Sequence, residues 1–369
     1  MSEDRPSVAL FLPSMVVGGA ERMMLHVANG LADRGFDVDL VLVKAEGDFL
    51  ENVSESVRII DLDASRVLKS LPGLVRYLRR TDPDVLLSTI TPSNVIAVWA
   101  KMAPGVDVRL VVRVARPESE AATVQDNTRK ERLTAALARR SYPRADEVIA
   151  ISDGVAHDLR ANTSLGDRDV HVIYNPVLTD RLHEQAAESV DHAWFERHEP
   201  VVLGVGRLVD QKDFSTLLRA FATLRDGRDA KLVIFGDGDE RQELERLAEE
   251  LGIESDVDMP GFTDNPYKYM ANADVFVNPA KHEGFGNVIV EAMACEVPIV
   301  ATDCPGAPAE LLGQDEFGRL VPVGMPESMA KAIDEMLDDP TDPAVLRQRA
   351  ADFSSETAIE RYCDVLFDE

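Results

Sequence analysis

Short apolar runs alternate with amphipathic stretches along most of the chain. "SVALFLPSM" is a β-like run that leads to Gly18 and Gly19. In the segment after it, Met23, Met24, Val27, Ala28 and Leu31 recur at helical spacing, and Gly35 closes the helix. "DVDLVLV" is the next strand. Strand, glycine turn, helix, strand make a βαβ unit, whose parallel strands need a crossover helix. "DVLLSTI" (84–90), "VRLVVRVA" (108–115) and "EVIAIS" (147–152) are further strands, with Ser152 placed to cap the helix of "DGVAHDL". "VHVIYNPV" (170–177) ends this first series.

A polar stretch, about 178–199, precedes a second series. "PVVLGVGRL" is a strand, "FSTLLRAFATLR" an amphipathic helix and "AKLVIFGDG" a strand. "DERQELERLAEELG" is a helix ending at Gly252, and "VDMPGF", "ADVFVNPA" and "VPIVATD" are strands. Two successive α/β series predict two doubly wound, Rossmann-like domains, 1–176 and 177–354, facing a cleft. The last segment, "SSETAIERYCDVLFD", is helical.

At 369 residues the chain exceeds one ordinary core, which agrees with two domains. No apolar run approaches the ~20 residues of a membrane helix. The start has acidic flanks and reads as no secretory signal. Cys295, Cys304 and Cys363 form neither a disulfide framework nor a zinc pattern, so a reducing cytoplasm is the expected home. The 39 basic and 66 acidic residues give a net charge of −27, which argues against nucleic acid as a partner and suits a surface hydrated in concentrated salt, as in a halophile. The charge is uneven. Residues 1–176 carry 22 basic and 25 acidic residues, and 177–369 carry 17 and 41. The first half is nearly neutral and is the half expected to meet something anionic.

Chemistry concentrates at strand-to-helix turns. In "KHEGFGNVIVEAMA" (281–294), a loop at a strand's carboxyl end holds Glu283, then Gly284 and Gly286, which allow a tight turn and close approach to a ligand. The start of the following helix, around Asn287 and Val288, favours an anion such as phosphate. Glu291 lies two turns in, among apolar neighbours, and needs a partner. A vicinal diol such as a ribose and an internal arginine fit equally well. In "GVGRLVDQKDF" (204–214), Arg207 and Lys212 follow another strand and suit a diphosphate, the first as a fork and the second as a point charge.

Together these segments resemble the retaining glycosyltransferases of family 4, with the GT-B fold. The family's glutamate pair is similar to "EGFGNVIVE", its "GRL…QK" to "GRLVDQK" and its first-domain loop to "GGAE" (18–21). "GDGDE" (236–240), "GFTDN" (261–265) and "DCPGAPAELL" (303–312) also resemble family segments, and the match spans nearly the whole chain. The resemblance implies a hexosyltransferase that uses a UDP- or GDP-sugar without a metal or other cofactor. Its acceptor would be a glycan or a lipid-phosphate-linked glycan, met in the cytoplasm at the inner membrane face. Arg207 and Lys212 would hold the diphosphate, and with Glu283 they form the catalytic set. Glu291 would bind the ribose, and Glu283 with the 284–286 backbone, Phe285 included, would position the sugar. Gly18 and Gly19 would close over the phosphates, and Phe262 would lie near the base. The resemblance further implies that the last helix, about 355–369, packs back on the first domain.

Two departures stand out. The family histidine after a first-domain strand has no counterpart in "VVRVARPES" (111–119), which puts Arg113 or Arg116 on the acceptor side in its place. "GAPAELL" has an alanine where many relatives have glycine and arginine. "DVD", "DLD" and "DGD" are weak metal signals in so acidic a chain, and "GVGRLV" and "FGDGDE" lack the third glycine of a dinucleotide fingerprint. His26 and His282 read as structural, and Cys295 and Cys304 as small apolar fillers. Basic residues gather at Arg66, Lys69, Arg76, Arg79 and Arg80, and again at Arg129, Lys130, Arg132, Arg139, Arg140 and Arg144. They mark a solvated helix face or a peripheral contact with anionic lipid. The competing functions are a sugar-nucleotide epimerase of the same fold and a non-catalytic sugar-nucleotide binder.

Overall fold

The computed structural model describes residues 5–16, 18–117, 129–165, 170–196 and 198–367. The chain divides into two compact units, Met1–Pro176 with Ser355–Glu369, and Val177–Ser354.

The first unit is built on a seven-stranded sheet: β1 (Ser7–Leu12), β2 (Asp37–Leu42), β3 (Val57–Asp61), β4 (Val85–Thr89), β5 (Arg109–Val114), β6 (Glu147–Ala150) and β7 (Val170–Val172). Their order is β3-β2-β1-β4-β5-β6-β7, all parallel. The inner strands are buried nearly throughout, as a sheet covered on both faces requires. The Gly19–Asp33 helix packs its apolar stripe of Met23, Met24, Val27, Ala28 and Leu31 inward. The Ser355–Phe367 helix lies against it, with Ile359 pressed so close to Gly30 that a Cβ there would stand 2.8 Å from Ile359 Cγ1. The helices Leu71–Thr81, Thr91–Lys101 and Arg129–Ser141 pack side by side in another layer. Ser152 caps the Asp153–Asn162 helix through the Val155 amide at 3.1 Å.

The second unit has six parallel strands: β8 (Val201–Val205), β9 (Lys231–Phe235), β10 (Val257–Gly261), β11 (Val275–Asn278), β12 (Ile299–Thr302) and β13 (Arg319–Val321). Their order is β10-β9-β8-β11-β12-β13. The stretch 178–199 is not bare loop. It forms the Asp180–Ala186 helix, capped by Thr179, and then an aromatic corner. In that corner His192 bonds Asp258 at 2.9 Å, and Phe195 meets Tyr269 at 5.5 Å between ring centroids.

In both sheets the strand order reverses beside the first strand, between β1 and β4 and between β8 and β11. Neighbouring loops diverge at such a point and leave room for a ligand at the strands' carboxyl ends.

Candidate active site

In the second unit, β8 and β11 are neighbours, with Val202 beside Val275 and Leu203 beside Phe276. The loops that follow them therefore start side by side. The β8 loop brings Arg207 and Lys212, and the β11 loop brings Glu283. Lys212 Nζ pairs with Glu283 Oε1, and both side chains are largely buried. A buried pair of this kind needs good geometry to offset its desolvation, and the surroundings supply it. Gln211 Nε2 donates to the His282 carbonyl at 3.0 Å, the Lys281 amide donates to the Gln211 carbonyl at 2.9 Å, and Lys281 pairs with Asp210. Arg207 is exposed and forms no ion pair among the described residues.

Glycines let further loops back this clamp. Gly306, at φ +121°, sits so close that a Cβ would lie 1.5 Å from the Glu283 carbonyl oxygen. The Glu283 amide donates to the Pro305 carbonyl at 3.0 Å in the same contact. A Cβ on Gly236 would lie 1.8 Å from the Gly206 oxygen. The loops after β8, β9, β11 and β12 thus form one connected backbone shelf.

Gly286, in the left-handed region, starts the Asn287–Ala294 helix and offers no side-chain cap. The positive end of the helix dipole is therefore presented at the shelf. Glu291, 8% exposed, lies on this helix and accepts a hydrogen bond from Tyr267 Oη at 3.3 Å. Phe262, next to Gly261 at φ +100°, is 71% exposed. Phe285 is 3% exposed, and its ring packs edge-on against Phe353, which leaves its backbone at the shelf. Burial pushes the Cys295 and Cys304 thiols up to about 12, which keeps both protonated and inert.

Gly18, Gly19, Arg113 and Arg116 lie in the first unit. Gly18 precedes the Gly19–Asp33 helix, and a Cβ on it would stand 2.3 Å from Glu21 Oε2. A side chain at that position would have to displace the Glu21 carboxylate from over the turn. Burial raises the Glu21 pKa, against its own backbone amide and the charge of Arg113. Arg113 is not presented to an acceptor. It is 1% exposed and donates to Tyr362 Oη at 2.9 Å, Thr89 Oγ1 at 3.1 Å and Asn175 Oδ1 at 2.5 Å. It ties the last helix and the chain after β7 to the sheet, whereas Arg116 is exposed. Glu21, Gln211, Tyr267 and Gly306 had no role assigned from sequence. For Gly306 a signal existed, a Pro-Gly pair directly after a strand.

The profile described as "Glycosyl transferases group 1" matches residues 188–353, and that described as "Glycosyltransferase Family 4" matches residues 17–181. The N-acetylgalactosamine-N,N'-diacetylbacillosaminyl-diphospho-undecaprenol 4-alpha-N-acetylgalactosaminyltransferase of Campylobacter jejuni is 32% identical over 343 residues, 90% of each chain. The chain belongs to the family 4, group 1 glycosyltransferases. The lipopolysaccharide core biosynthesis glycosyltransferase LpsE of Rhizobium meliloti is also similar to it, at 31% identity over 94% of this chain and 92% of that one. Among solved structures, Anabaena HepE in complex with UDP and glucose superposes with a TM-score of 0.79 at 23% identity, covering 98% and 99% of the two chains. Sucrose-phosphate synthase of Thermosynechococcus elongatus gives 0.79 at 22%, covering 98% of each. The fold is GT-B. These relatives are transferases and do not favour the epimerase or the non-catalytic binder. Among the described residues, no helix of this glycosyltransferase is long and apolar enough to cross a membrane, and no acid, histidine and cysteine cluster is arranged to hold a metal ion.

Proposed function

We propose that this glycosyltransferase moves a hexose, or a hexose derivative, from a UDP- or GDP-sugar to a lipid-phosphate-linked glycan, with retention of the anomeric configuration. The observation that carries this is the shelf at the β8/β11 reversal. Arg207 and Lys212 follow β8 there, and Lys212 pairs with Glu283 in the loop that leads to the helix bearing Glu291. The cations receive the diphosphate and stabilise the charge that develops as it leaves, so no metal ion is needed for that task. Arg207 is free to reach it, while Lys212 is held ready by Glu283. Glu283 and the backbone of 284–286 position the sugar, Glu291 accepts from the ribose hydroxyls, and exposed Phe262 covers the base. Front-face departure and attack need no glycosidase-type pair of carboxylates.

The acceptor class is supported by the Campylobacter relative, whose name includes a diphospho-undecaprenol, and the donor class by HepE, solved with UDP and glucose. The enzyme is read as cytoplasmic, working at the inner membrane face where a lipid-linked acceptor is reached.

The test is calorimetry with a panel of UDP- and GDP-sugars, followed by release of the nucleoside diphosphate. Wild type is expected to bind one donor, with or without EDTA. Arg207→Ala and Glu291→Ala should each weaken it by at least about tenfold, the scale of one lost charge-assisted contact. Folded wild type that binds no donor would overturn the proposal.

A further inference from the structure

Basic residues of both units pair with carboxylates, among them Arg58, Lys101 and Arg109 in the first and Arg225, Arg228 and Lys231 in the second. In the first unit, the span 64–81 carries five basic residues and no acidic one, inside a chain of net charge −27. Among the described residues, Arg66, Lys69, Arg76 and Arg80 are exposed and have no carboxylate partner.

The Leu71–Thr81 helix turns its buried side, Leu74, Tyr77 and Leu78, to the core. Its outer side opens a shallow groove of about 470 Å³ lined by Leu71, Pro72, Val75, Arg76, Arg79 and Arg80. Arg79 donates to the Pro104 carbonyl at 3.0 Å, which fixes the 102–105 turn beside the groove. Large apolar side chains of the first unit stand in water. Leu68 is 64% exposed just before the helix, Met102 is 61% exposed in that turn, and Leu133 is 62% exposed on the Arg129–Ser141 helix of the same layer. Arg132 and Arg140 are exposed on that last helix, and the side chains of Arg129 and Lys130 lie outside the described residues.

We propose that this helical face docks on a bilayer rich in anionic phospholipid. Arg76, Arg80, Arg66 and Lys69 meet the headgroup phosphates, and Leu68, Met102 and Leu133 enter the apolar boundary. The proposal deepens the reading of a lipid-linked acceptor and rests on it. Charge complementarity selects the partner: unpaired cations on the least acidic part of an acidic chain face an anionic surface, and the rest of the chain is repelled from it. The apolar groups are aliphatic. A protein partner is met more often by aromatic anchors, and the groove lining has none. A nucleic acid would leave the leucines unused.

The test is flotation with phosphatidylglycerol/phosphatidylcholine vesicles and with pure phosphatidylcholine, in 0.1 M salt. Wild type is expected to float with the anionic vesicles only. R76A/R80A should lower the partition coefficient at least about tenfold, the loss that accompanies two surface cations. L68S/M102S should lower it without removing charge, and K331A/R347A, in the second unit, should leave it unchanged. Each variant is expected to bind the donor nucleotide as wild type does. Equal flotation with neutral vesicles, or no loss in either groove variant, would overturn the proposal. So would equally tight binding to duplex DNA, or self-association that R76A/R80A abolishes. Flotation that persists in a protein unable to bind any nucleotide sugar would count against the transfer reaction and leave this surface standing.

Discussion

A guanidinium sealed from water must keep its donors occupied. Arg113 does so with three neutral acceptors, on Tyr362, Thr89 and Asn175. Arg113→Met fills most of the volume but strands those oxygens, each at a cost of ~1–3 kcal/mol. Urea unfolding is expected to show a loss of about 3–5 kcal/mol, with donor affinity unchanged in the folded variant. A loss below about 1 kcal/mol would place the guanidinium in water instead. Gly306 is the opposite kind of residue, defined by what it lacks. A Cβ would overlap the Glu283 carbonyl, so Gly306→Ala must push the β11 loop aside. Displacement of a positioning loop by about 1 Å costs about a hundredfold in rate. Transfer by G306A should fall by at least that much while the far-ultraviolet spectrum stays native. The two positions were unequally legible. A Pro-Gly pair after a strand announces a forced turn wherever it occurs. An arginine in a β-run looks the same whether it ends in water or in the core, because its burial depends on a helix that arrives about 250 residues later.

At the scale of elements, the site depends on two loops fixed by adjacent strands. Lys212 and Glu283 are 71 residues apart in sequence and form one buried pair. Lys212→Ala leaves the glutamate charged, enclosed and alone, and is expected to cost about 3–5 kcal/mol of stability. It should also weaken donor binding. K212A/E283Q removes the stranded charge, so most of the stability should return while donor binding stays weak. Recovery of both would mean that Lys212 serves the fold and not the donor. The loops themselves were readable, because β8 and β11 are continuous apolar runs followed by glycines. The strands that escaped were those without such a run. β3 lies at the sheet edge with most of its residues exposed, and β13 is three residues long. The pairing of Lys212 with Glu283 was not readable either. Both were singled out as separate ligand contacts, and nothing in their spacing showed that each is the other's counter-ion.

At the scale of the whole molecule, salt acts on two features with opposite sign. A net charge of −27 makes the folded chain repel itself, and counter-ions relieve that repulsion. Raising KCl from 0.1 M to 2 M is therefore expected to raise the melting temperature by a few degrees, the equivalent of ~1–2 kcal/mol in a chain this size. The same ions shorten the reach of the unpaired arginines on the Leu71–Thr81 helix, since the screening length falls from about 10 Å to about 3 Å between 0.1 and 1 M. Flotation with anionic vesicles should therefore decline over the range in which stability rises. Measured on one preparation, the two curves separate the bulk charge from the local face. If binding fell because the protein was losing its structure, both curves would fall together. A flotation curve that stayed flat from 0.1 to 2 M would show binding independent of charge and overturn the docking proposal, as would R76A/R80A floating like wild type while L68S/M102S alone fails to float.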